Sequence, residues 1–324
     1  VSTKAEPNNG RGQCLIVDDK LREKSGKQME LIGRVFDHVS HKYLLGFKIL
    51  VLGLWDGKSF LPIDFSIHGE KGKNVDKPQG MTKKEIKARF QTTRPEECAS
   101  SERVEEYFKS KSENAVTMCK RAIKNGIIAQ YVLADSWFIN APFIDGIRKI
   151  KKGLLHVIGM SKTNRKFEIG DKTYNAKALI AKHSPSKKTN RKLKMQYFML
   201  NASYKGIPLK LFFVKQGYGN TNDNWKLIVS TDLKISFQKA METYQIRWTI
   251  EVFFKDAKQN LYLGKCQPNY FNAQVADTTI CFMQNILLSF HKRFESYETI
   301  GGAFRNTKEA MLELTLADGI MLSL

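Results

Sequence analysis

The segment 244–258 carries residue types that could hold a metal ion beside a polyanion. At about 100° per residue, a helix here would gather a carboxylate, a phenol and several cations on a stripe about 80° wide, namely Tyr244, Arg247, Glu251, Lys255 and Lys258. Apolar side chains would fall on the opposite side: Ile246, Ile250, Phe253, Ala257 and Leu261. We therefore predict one helix over 236–260 with a buried face. Its polar stripe is either a site where a metal ion and phosphates meet or an ordinary solvated surface.

The charge of the whole chain favours the first of these interpretations. The 324 residues include 53 Lys or Arg and 32 Asp or Glu, which gives a net charge of +21. Such an excess usually indicates nucleic acid as the partner, with a ribosomal or membrane-surface protein as the alternative. Between residues 148 and 194, which we call the basic segment, 15 Lys or Arg outnumber two acids, Glu168 and Asp171. We expect this segment to contact phosphates in a salt-dependent way.

The cysteines, the apolar runs and the termini narrow the class of protein. The five cysteines, at positions 14, 98, 119, 266 and 281, form no CxxC pair. Neither a zinc site nor a disulfide framework is therefore predicted, and reduced thiols favour a cytoplasmic protein. The most apolar run, 43–55, is interrupted by Lys48 and is too short to span a bilayer. Because the chain starts at Val1 and ends directly after an apolar run, we expect a fragment cut short at both ends.

The elements that would position the polar stripe follow a mixed α/β order. Apolar runs predict strands at 13–17, 42–55, 59–67, 127–134 and 154–159, and helices at 101–126, with Ser101 as the N-cap, and at 140–149. Short strands at 166–174, 195–202, 209–215 and 225–230 predict a mostly β insertion, and helices follow at 236–260 and 273–295. Without the insertion the order is β-β-β-α-β-α-β-α, that of the ribonuclease H-like fold.

Two aspartates follow predicted strands and could work with the acid of the stripe. Asp18 ends the first strand and Asp135 the fourth, and in the ribonuclease H-like fold these strand ends are neighbours. Glu251 would complete a cluster of three carboxylates, which repel one another unless a cation such as Mg²⁺ or Mn²⁺ is present. Two ions about 4 Å apart could activate a water or a 3′-hydroxyl for displacement at phosphorus. Arg247 and Lys258 could then hold neighbouring phosphates, while Tyr244 would either bond a phosphate or pack.

The chain resembles the bacterial insertion-sequence DDE transposases of the IS-four type, the branch marked by a Y-R-E-K signature. The gaps of that signature match Tyr244, Arg247, Glu251 and Lys258, and further matching segments are 15–20, 24–27, 132–138 and 230–233. The resemblance implies DNA cleavage at transposon ends and strand transfer into target DNA, carried out by a homodimer with Mg²⁺ or Mn²⁺ on Asp18, Asp135 and Glu251. It implies DNA contacts for Tyr244, Arg247 and Lys258, and Lys255 lies on the same stripe. A cytoplasmic, nucleoid-associated protein would fit that role.

The resemblance leaves several roles and functions to be distinguished. Asp19 is the alternative first acid, whereas Asp56 is interpreted as a turn residue and Asp232 as a cap or loop acid. In some relatives, aromatic residues of the insertion support a DNA hairpin formed during cleavage, so Trp225 is either such a residue or a core residue. Trp137 is expected to pack beneath the site. We divide the chain into core parts 1–159 and 233–295, a β-rich insertion at 160–232 and a C-terminal segment, 296–324. The alternatives to a transposase are a nuclease on the same fold and an inactive or domesticated DNA-binding remnant.

Overall fold

The chain divides into two units whose boundaries cut through regular elements. The computed structural model describes residues 12–26, 28–72, 74–77, 80–89, 93–95, 97–217, 225–294 and 299–306. Unit 1 comprises Val1–Asp19, Leu50–Lys58 and Lys109–Ile250. Unit 2 comprises Lys20–Ile49, Ser59–Phe108 and Glu251–Leu324.

Groups of strands and helices follow one another along the described residues in a mixed α/β order. The strands are β1 (Cys14–Glu23), β2 (Gly33–Asp37), β3 (Lys42–Trp55), β4 (Phe60–His68), β5 (Tyr131–Ala134), β6 (His156–Ser161), β7 (Lys166–Ile169), β8 (Lys172–Asn175), β9 (Lys188–Asn190), β10 (Met195–Tyr204), β11 (Ile207–Gln216) and β12 (Lys226–Ser230). The helices are α1 (Lys83–Arg89), α2 (Ala99–Phe108), α3 (Lys111–Lys124), α4 (Ala141–Lys149), α5 (Ala176–His183), α6 (Phe237–Gln245), α7 (Trp248–Gln259) and α8 (Phe271–Phe294).

Unit 1 is built on parallel strands that continue into an antiparallel sheet. β1, β5 and β6 are parallel, with Val17 opposite Ala134 and Ala134 opposite Gly159. The sheet then continues through β12, β11, β10, β7 and β8, and β9 also pairs with β10. Residues 14–17 and 131–134 are buried, as expected for parallel strands covered on both faces. The predicted α/β class, a ribonuclease H-like mixed sheet with a mostly β insertion, is confirmed.

The helices of unit 1 begin at well-formed caps. Ser110 and Glu113 form a capping box at the start of α3. Asn140 caps α4 by accepting a hydrogen bond from the amide of Phe143 at 3.0 Å. α3 packs on α4, and α4 and α6 pack against β6. The helix predicted at 140–149 is therefore confirmed, and its cap is local in sequence.

Unit 2 holds its helices with buried polar anchors as well as aromatic contacts. α2 and α8 pack on β4, where the rings of Phe65 and Phe282 lie 5.3 Å apart. The buried Glu30 accepts from Arg94 Nη2 at 2.5 Å and from the backbone amide of Phe271 at 2.9 Å. These bonds fix the start of α8 to the segment before β2.

Several predicted boundaries are wrong for identifiable reasons. The helix predicted at 101–126 is two helices, because the capping box at Ser110 begins a new helix, α3. Ser101, the predicted N-cap, lies inside α2. The short strand β2 and the helix α1, which Thr82 and Glu85 cap, were not predicted. β1 runs on to Glu23, so that Asp18 lies within the strand, one residue beyond its last pair with β5. No helix among the described residues has both the length and the apolar character that crossing a membrane requires.

Candidate active site

A tight turn separates α6 from α7. The sequence predicts a single helix over 236–260 instead. The amide of Arg247 donates to the carbonyl of Tyr244 at 3.0 Å, and the amide of Ile250 donates to the carbonyl of Arg247 at 3.2 Å. The hydroxyl of Thr249 donates to the carbonyl of Ile246 at 2.8 Å. These i to i+3 bonds wind the chain more tightly than an α-helix. The prediction of one continuous helix is therefore wrong, and the angles calculated for its stripe do not hold across Arg247.

The apolar side of the same segment behaves as predicted. Its five members are between 0% and 6% exposed: Ile246, Ile250, Phe253, Ala257 and Leu261. Burial of this side is what holds the segment in place despite the change of helical winding. The amphipathic pattern thus predicts which residues face inward, although it does not predict the turn.

Asp18 is a mostly buried carboxylate that Arg247 contacts directly. Arg247 Nη1 lies 3.3 Å from Asp18 Oδ2, with the two side chains 15% and 17% exposed. The amide of Asp19 donates to Asp18 Oδ1 at 2.8 Å. Burial, followed by the nearby carboxylates of Asp135 and Asp19, raises the pKa of Asp18 to about 7, and Arg247 offsets only part of this rise. A further positive charge at this place would stabilise the ionised form.

Asp135 follows β5 and stands beside Asp18 in the parallel sheet. Because Val17 pairs with Ala134, the two aspartates directly follow paired residues of adjacent strands. Asp135 Oδ1 accepts hydrogen bonds from the amides of Trp137 at 2.9 Å and Phe138 at 3.4 Å. These bonds form an Asx-type turn that fixes the carboxylate at the strand end. The sequence therefore predicts correctly that the two aspartates are neighbours.

The carboxylate of Asp19, the alternative first acid, forms an ion pair with Lys111. Lys111 was not predicted from the sequence as a residue of this site. Lys111 Nζ donates to both carboxylate oxygens of Asp19, at 2.9 and 3.1 Å. It also lies 4.3 Å from the ring centre of Trp137. Side chains alternate between the faces of a strand, so Asp19 faces away from Asp18. This arrangement supports Asp18 as the acid that works with Asp135.

Trp137 does not lie beneath the site as expected. Its side chain is 37% exposed and covers the ammonium of Lys111. The interaction adds a cation–π contact to the ion pair with Asp19. Trp137 therefore helps to hold the neighbouring lysine and does not form a floor for the carboxylates.

Tyr244 packs behind the guanidinium of Arg247. Arg247 Cζ lies 6.0 Å from the centre of the Tyr244 ring. The hydroxyl is buried. Burial raises the pKa of Tyr244, with Arg247 opposing the rise. Of the two roles left open by the sequence, the buried hydroxyl supports packing over a bond to phosphate.

Arg165 approaches the Asp135 turn from the insertion and was not among the predicted site residues. Its Nη2 donates to the carbonyl of Ser136 at 3.2 Å, and its Cζ lies 5.4 Å from the ring centre of Tyr204. Its Nη1 is buried and lacks a hydrogen-bond partner in the part of the chain that the structure describes. Nothing local in the sequence distinguishes Arg165 from the other cations of the basic segment, because its contact depends on the tertiary structure.

Glu251, Lys255 and Lys258 lie on α7, within unit 2. Glu251 is half-buried, whereas the two lysines are exposed. Spacings of four and seven residues place both lysines on the same face of α7 as Glu251. The predicted grouping of these three residues on one stripe is therefore retained within α7.

The basic segment exposes most of its cations. Twelve of its fifteen Lys or Arg side chains are exposed. Among them, Lys149 pairs with Asp145 at 2.6 Å and Lys192 with Glu242 at 2.9 Å. Exposed cations on short strands and turns are suited to contacts with a phosphate backbone.

Three further residues were assigned roles from the sequence: Asp56, Asp232 and Trp225. Asp56 Oδ1 accepts from the amide of Lys58 at 2.9 Å, which confirms a turn residue. Asp232 Oδ1 accepts from the amide of Lys234 at 2.9 Å, which confirms a loop cap. Trp225 is 8% exposed, as expected for the core alternative.

The two aspartates fit a divalent metal ion by their chemistry. They supply carboxylate oxygens, the donors that Mg²⁺ and Mn²⁺ prefer, and the raised pKa of Asp18 indicates that local positive charge does not balance them. In the ranges the structure describes, no group of three or more His, Cys, Asp or Glu side chains is arranged to hold a metal ion. By themselves, the two aspartates of unit 1 could supply only part of the ligands of such an ion.

Two family models match the chain. The model of the DDE superfamily endonuclease matches residues 3–193, and the model of the transposase DDE domain matches residues 109–284. Each match covers more than half of the 324 residues. No curated protein matches the chain.

Proposed function

Because the chain belongs to the DDE endonuclease and transposase family, we propose that it cuts DNA at transposon ends and joins those ends to target DNA. The family is one of metal-dependent enzymes that act on DNA. Cut-and-paste transposition and membership of the Y-R-E-K branch are the finer parts of the proposal. The observation that carries it is the pair of carboxylates, Asp18 and Asp135, on adjacent parallel strands with Arg247 against the first of them.

Three carboxylates would hold the metal: Asp18, Asp135 and Glu251. The first two supply hard oxygen donors in unit 1, and Glu251 is the acid of the signature segment on α7. Mg²⁺ is the expected ion, with Mn²⁺ as a substitute, in a two-metal site. When bound, such ions supply activation of a water or a 3′-hydroxyl and stabilisation of the leaving oxygen.

The residues around Asp18 and Asp135 would keep their carboxylates in the orientation needed to bind a metal ion. Arg247 orients Asp18 through its contact with Oδ2. The amides of Trp137 and Phe138 hold Asp135 through Oδ1. Lys111 neutralises Asp19, so that this acid does not compete for the same cation. Each of these contacts fixes a side chain before substrate arrives, which lowers the reorganisation needed during reaction.

The cations outside the carboxylate pair would bind the DNA backbone. Lys255 and Lys258 extend from the exposed face of α7, and Arg165 lies beside the Asp135 turn through its contact with the carbonyl of Ser136. The basic segment would add broad, salt-dependent contacts. In this proposal residues 160–232 act as an insertion between core parts 1–159 and 233–295.

We also propose that the active form is a homodimer and that it acts on DNA of the nucleoid.

The proposal is tested by separating cutting from joining. DNA flanking the coding region supplies candidate terminal inverted repeats, and labelled duplexes that end in these repeats are incubated with the protein, a target plasmid and Mg²⁺. End-specific covalent joining to the plasmid is the expected product. Cutting of any duplex without joining would indicate a nuclease, and neither product with either Mg²⁺ or Mn²⁺ would contradict an active enzyme.

A further inference from the structure

Arg165 joins the insertion to the turn that carries Asp135. It lies in the turn between β6 and β7, where its backbone amide donates to the carbonyl of Lys162 at 3.3 Å. Its side chain reaches back to the end of β5, and Nη2 donates to the carbonyl of Ser136 at 3.2 Å. Ser136 directly follows Asp135. A residue of the insertion therefore contacts the backbone next to a proposed metal ligand.

The contact is made on a peptide group that also holds the Asp135 carboxylate. The carbonyl of Ser136 and the amide of Trp137 belong to the same planar peptide group. The amide donates to Asp135 Oδ1 at 2.9 Å, while the carbonyl accepts from Arg165. In a trans peptide these two groups point in opposite directions, so Arg165 and the carboxylate hold the plane from opposite sides. Rotation of this plane would break both hydrogen bonds.

The insertion also holds the guanidinium of Arg165 in place. Its Cζ lies 5.4 Å from the ring centre of Tyr204, the last residue of β10. β10 pairs with β7 where Ser203 lies opposite Glu168, and Ser203 Oγ donates to the Glu168 carboxylate. The ring that flanks Arg165 is thus tied to the strand that directly follows Arg165 in the chain.

Burial distinguishes Arg165 from the cations expected to bind DNA by charge. Twelve of the fifteen cations in the basic segment are exposed, and Lys162 in the same turn is one of them, whereas Arg165 is half-buried. A cation that only attracts phosphates needs neither a carbonyl nor an aromatic ring to hold it. The fixed position of Arg165 therefore points to a geometric role in addition to its charge.

We propose that Arg165 is a positioning residue for the Asp135 carboxylate and that, through it, the insertion takes part in building the metal site. The inference rests on the proposed function, in which Asp135 binds the metal. Arg165 acts through the peptide between Ser136 and Trp137 and is not itself a metal ligand. Loss of its guanidinium should free this peptide to rotate, and the carboxylate then loses its fixed orientation.

Amide exchange tests the positioning without metal or DNA. In Arg165→Met, hydrogen–deuterium exchange at the amide of Trp137, followed by NMR, should be about tenfold faster than in wild type, because a hydrogen bond to a charged donor is lost. The amide of Leu133 inside β5 should exchange as in wild type, which shows that the fold is kept. Lys162→Met, which removes a cation from the same turn, is the matched control and should leave exchange at Trp137 unchanged. Unchanged exchange at Trp137 in folded Arg165→Met would overturn the proposal.

The metal requirement tests the consequence for the site. The Mg²⁺ concentration that gives half the maximal cleavage rate should rise about tenfold in Arg165→Met, as is typical of outer-shell contacts. DNA affinity, measured by fluorescence anisotropy without metal, should fall by a similar factor in Arg165→Met and Lys162→Met, since both lose one positive charge. Arg165→Lys, which can still donate to the carbonyl, should recover part of the metal requirement. If Lys162→Met raised the Mg²⁺ requirement as much as Arg165→Met, Arg165 would be one more DNA-binding charge and the proposal would be refuted.

Failure of this proposal can be distinguished from failure of the proposed function. A wild type that neither cuts nor joins DNA, together with faster exchange at Trp137 in Arg165→Met, would contradict the enzyme and support the positioning contact. An active wild type whose exchange and Mg²⁺ requirement match those of Arg165→Met would do the reverse. Arg165→Gln, whose side chain is too short to reach the carbonyl, replaces Arg165→Met if that variant does not fold, and the same results are expected.

Discussion

The two ends of the parallel strands in unit 1 use the same kinds of side chain with opposite results. Just beyond the carboxyl end of the parallel pairing between β1 and β5, Asp18 and Asp135 stand together and Arg247 contacts one of them. At the amino ends, the hydroxyl of Tyr131 donates to Asp232 Oδ2 at 2.9 Å, and Arg148 Nη1 donates to His156 Nδ1 at 3.0 Å. Among the described residues, each end thus has an acid and an arginine, but two acids lie close together only at the end with Asp18 and Asp135.

The pKa values show what this difference means. Burial and neighbouring carboxylates raise the pKa of Asp18 to about 7. Burial alone would also raise the pKa of Asp232, but the hydroxyl of Tyr131 and the amide of Lys234 outweigh it and lower that pKa. The carboxylates proposed to bind a cation thus lack nearby positive charge, whereas Asp232 is satisfied by its own hydrogen bonds.

The largest expected effect comes from removing one charge at the carboxyl ends. Asp135→Asn should reduce Mg²⁺-dependent cleavage to background, because an amide cannot replace a carboxylate as a metal ligand. Binding of the same DNA, measured by fluorescence anisotropy, should change little. The matched control at the other end, Asp232→Asn, should cleave DNA as the wild type does. If both variants lost cleavage, the proposal that only the end with Asp18 and Asp135 is catalytic would be contradicted.

A smaller loss is expected for Arg247→Lys. Lysine keeps the charge but cannot reproduce the planar guanidinium against Asp18 and the Tyr244 ring. Outer-shell partners of metal ligands typically contribute about 10- to 100-fold in activity, and we expect a loss in that range. Initial rates at saturating Mg²⁺ measure it, with Arg148→Lys as the control at the amino ends. Equal losses in both variants would indicate a general effect of arginine on folding.

Tyr131→Phe should affect stability and leave chemistry unchanged. The substitution removes the hydroxyl that donates to Asp232, and hydrogen bonds to charged groups contribute about 1.5–3 kcal/mol. Urea unfolding should show a loss at or below the lower end of this range, because Asp232 is partly solvated. Cleavage by the folded variant should match wild type. A stable but inactive variant would place the amino ends in the catalytic machinery.

The smallest effect concerns the pH dependence of stability. Burial, followed by Arg148, lowers the pKa of His156 below its ordinary value, and Asp232 opposes this only in part. The unfolded chain therefore binds the proton more tightly than the folded chain, so this contribution to stability is fully present above pH 6.5 and is lost as the pH falls towards the folded pKa. Thermal melts between pH 5 and pH 8 should show a decline on the acid side that His156→Asn reduces. An unchanged decline in that variant would assign the pH dependence to other groups.

Local patterns predicted the parts of this molecule that depend on local interactions. The cap at Asn140 and the buried strands before Asp18 and Asp135 follow from short-range chemistry and from apolar runs. The turn at Arg247 could not be predicted in the same way, because its sequence also fits a continuous α-helix. Lys111 and Arg165 were missed because their contacts, with Asp19 and with the carbonyl of Ser136, join parts of the chain that are distant in sequence. The buried strand segments that precede the two aspartates were therefore predictable and the charge partners were not.

The turn between α6 and α7 has a consequence for how this sequence can vary. Arg247 reaches Asp18 from a turn with i to i+3 bonding, so one inserted or deleted residue after Tyr244 would rotate the guanidinium by roughly 120°. The exposed Gln245 could be replaced by many residue types without such a rotation. At this position the number of residues is constrained more strictly than their identity. Insertions and deletions there should consequently be far less tolerated than substitutions.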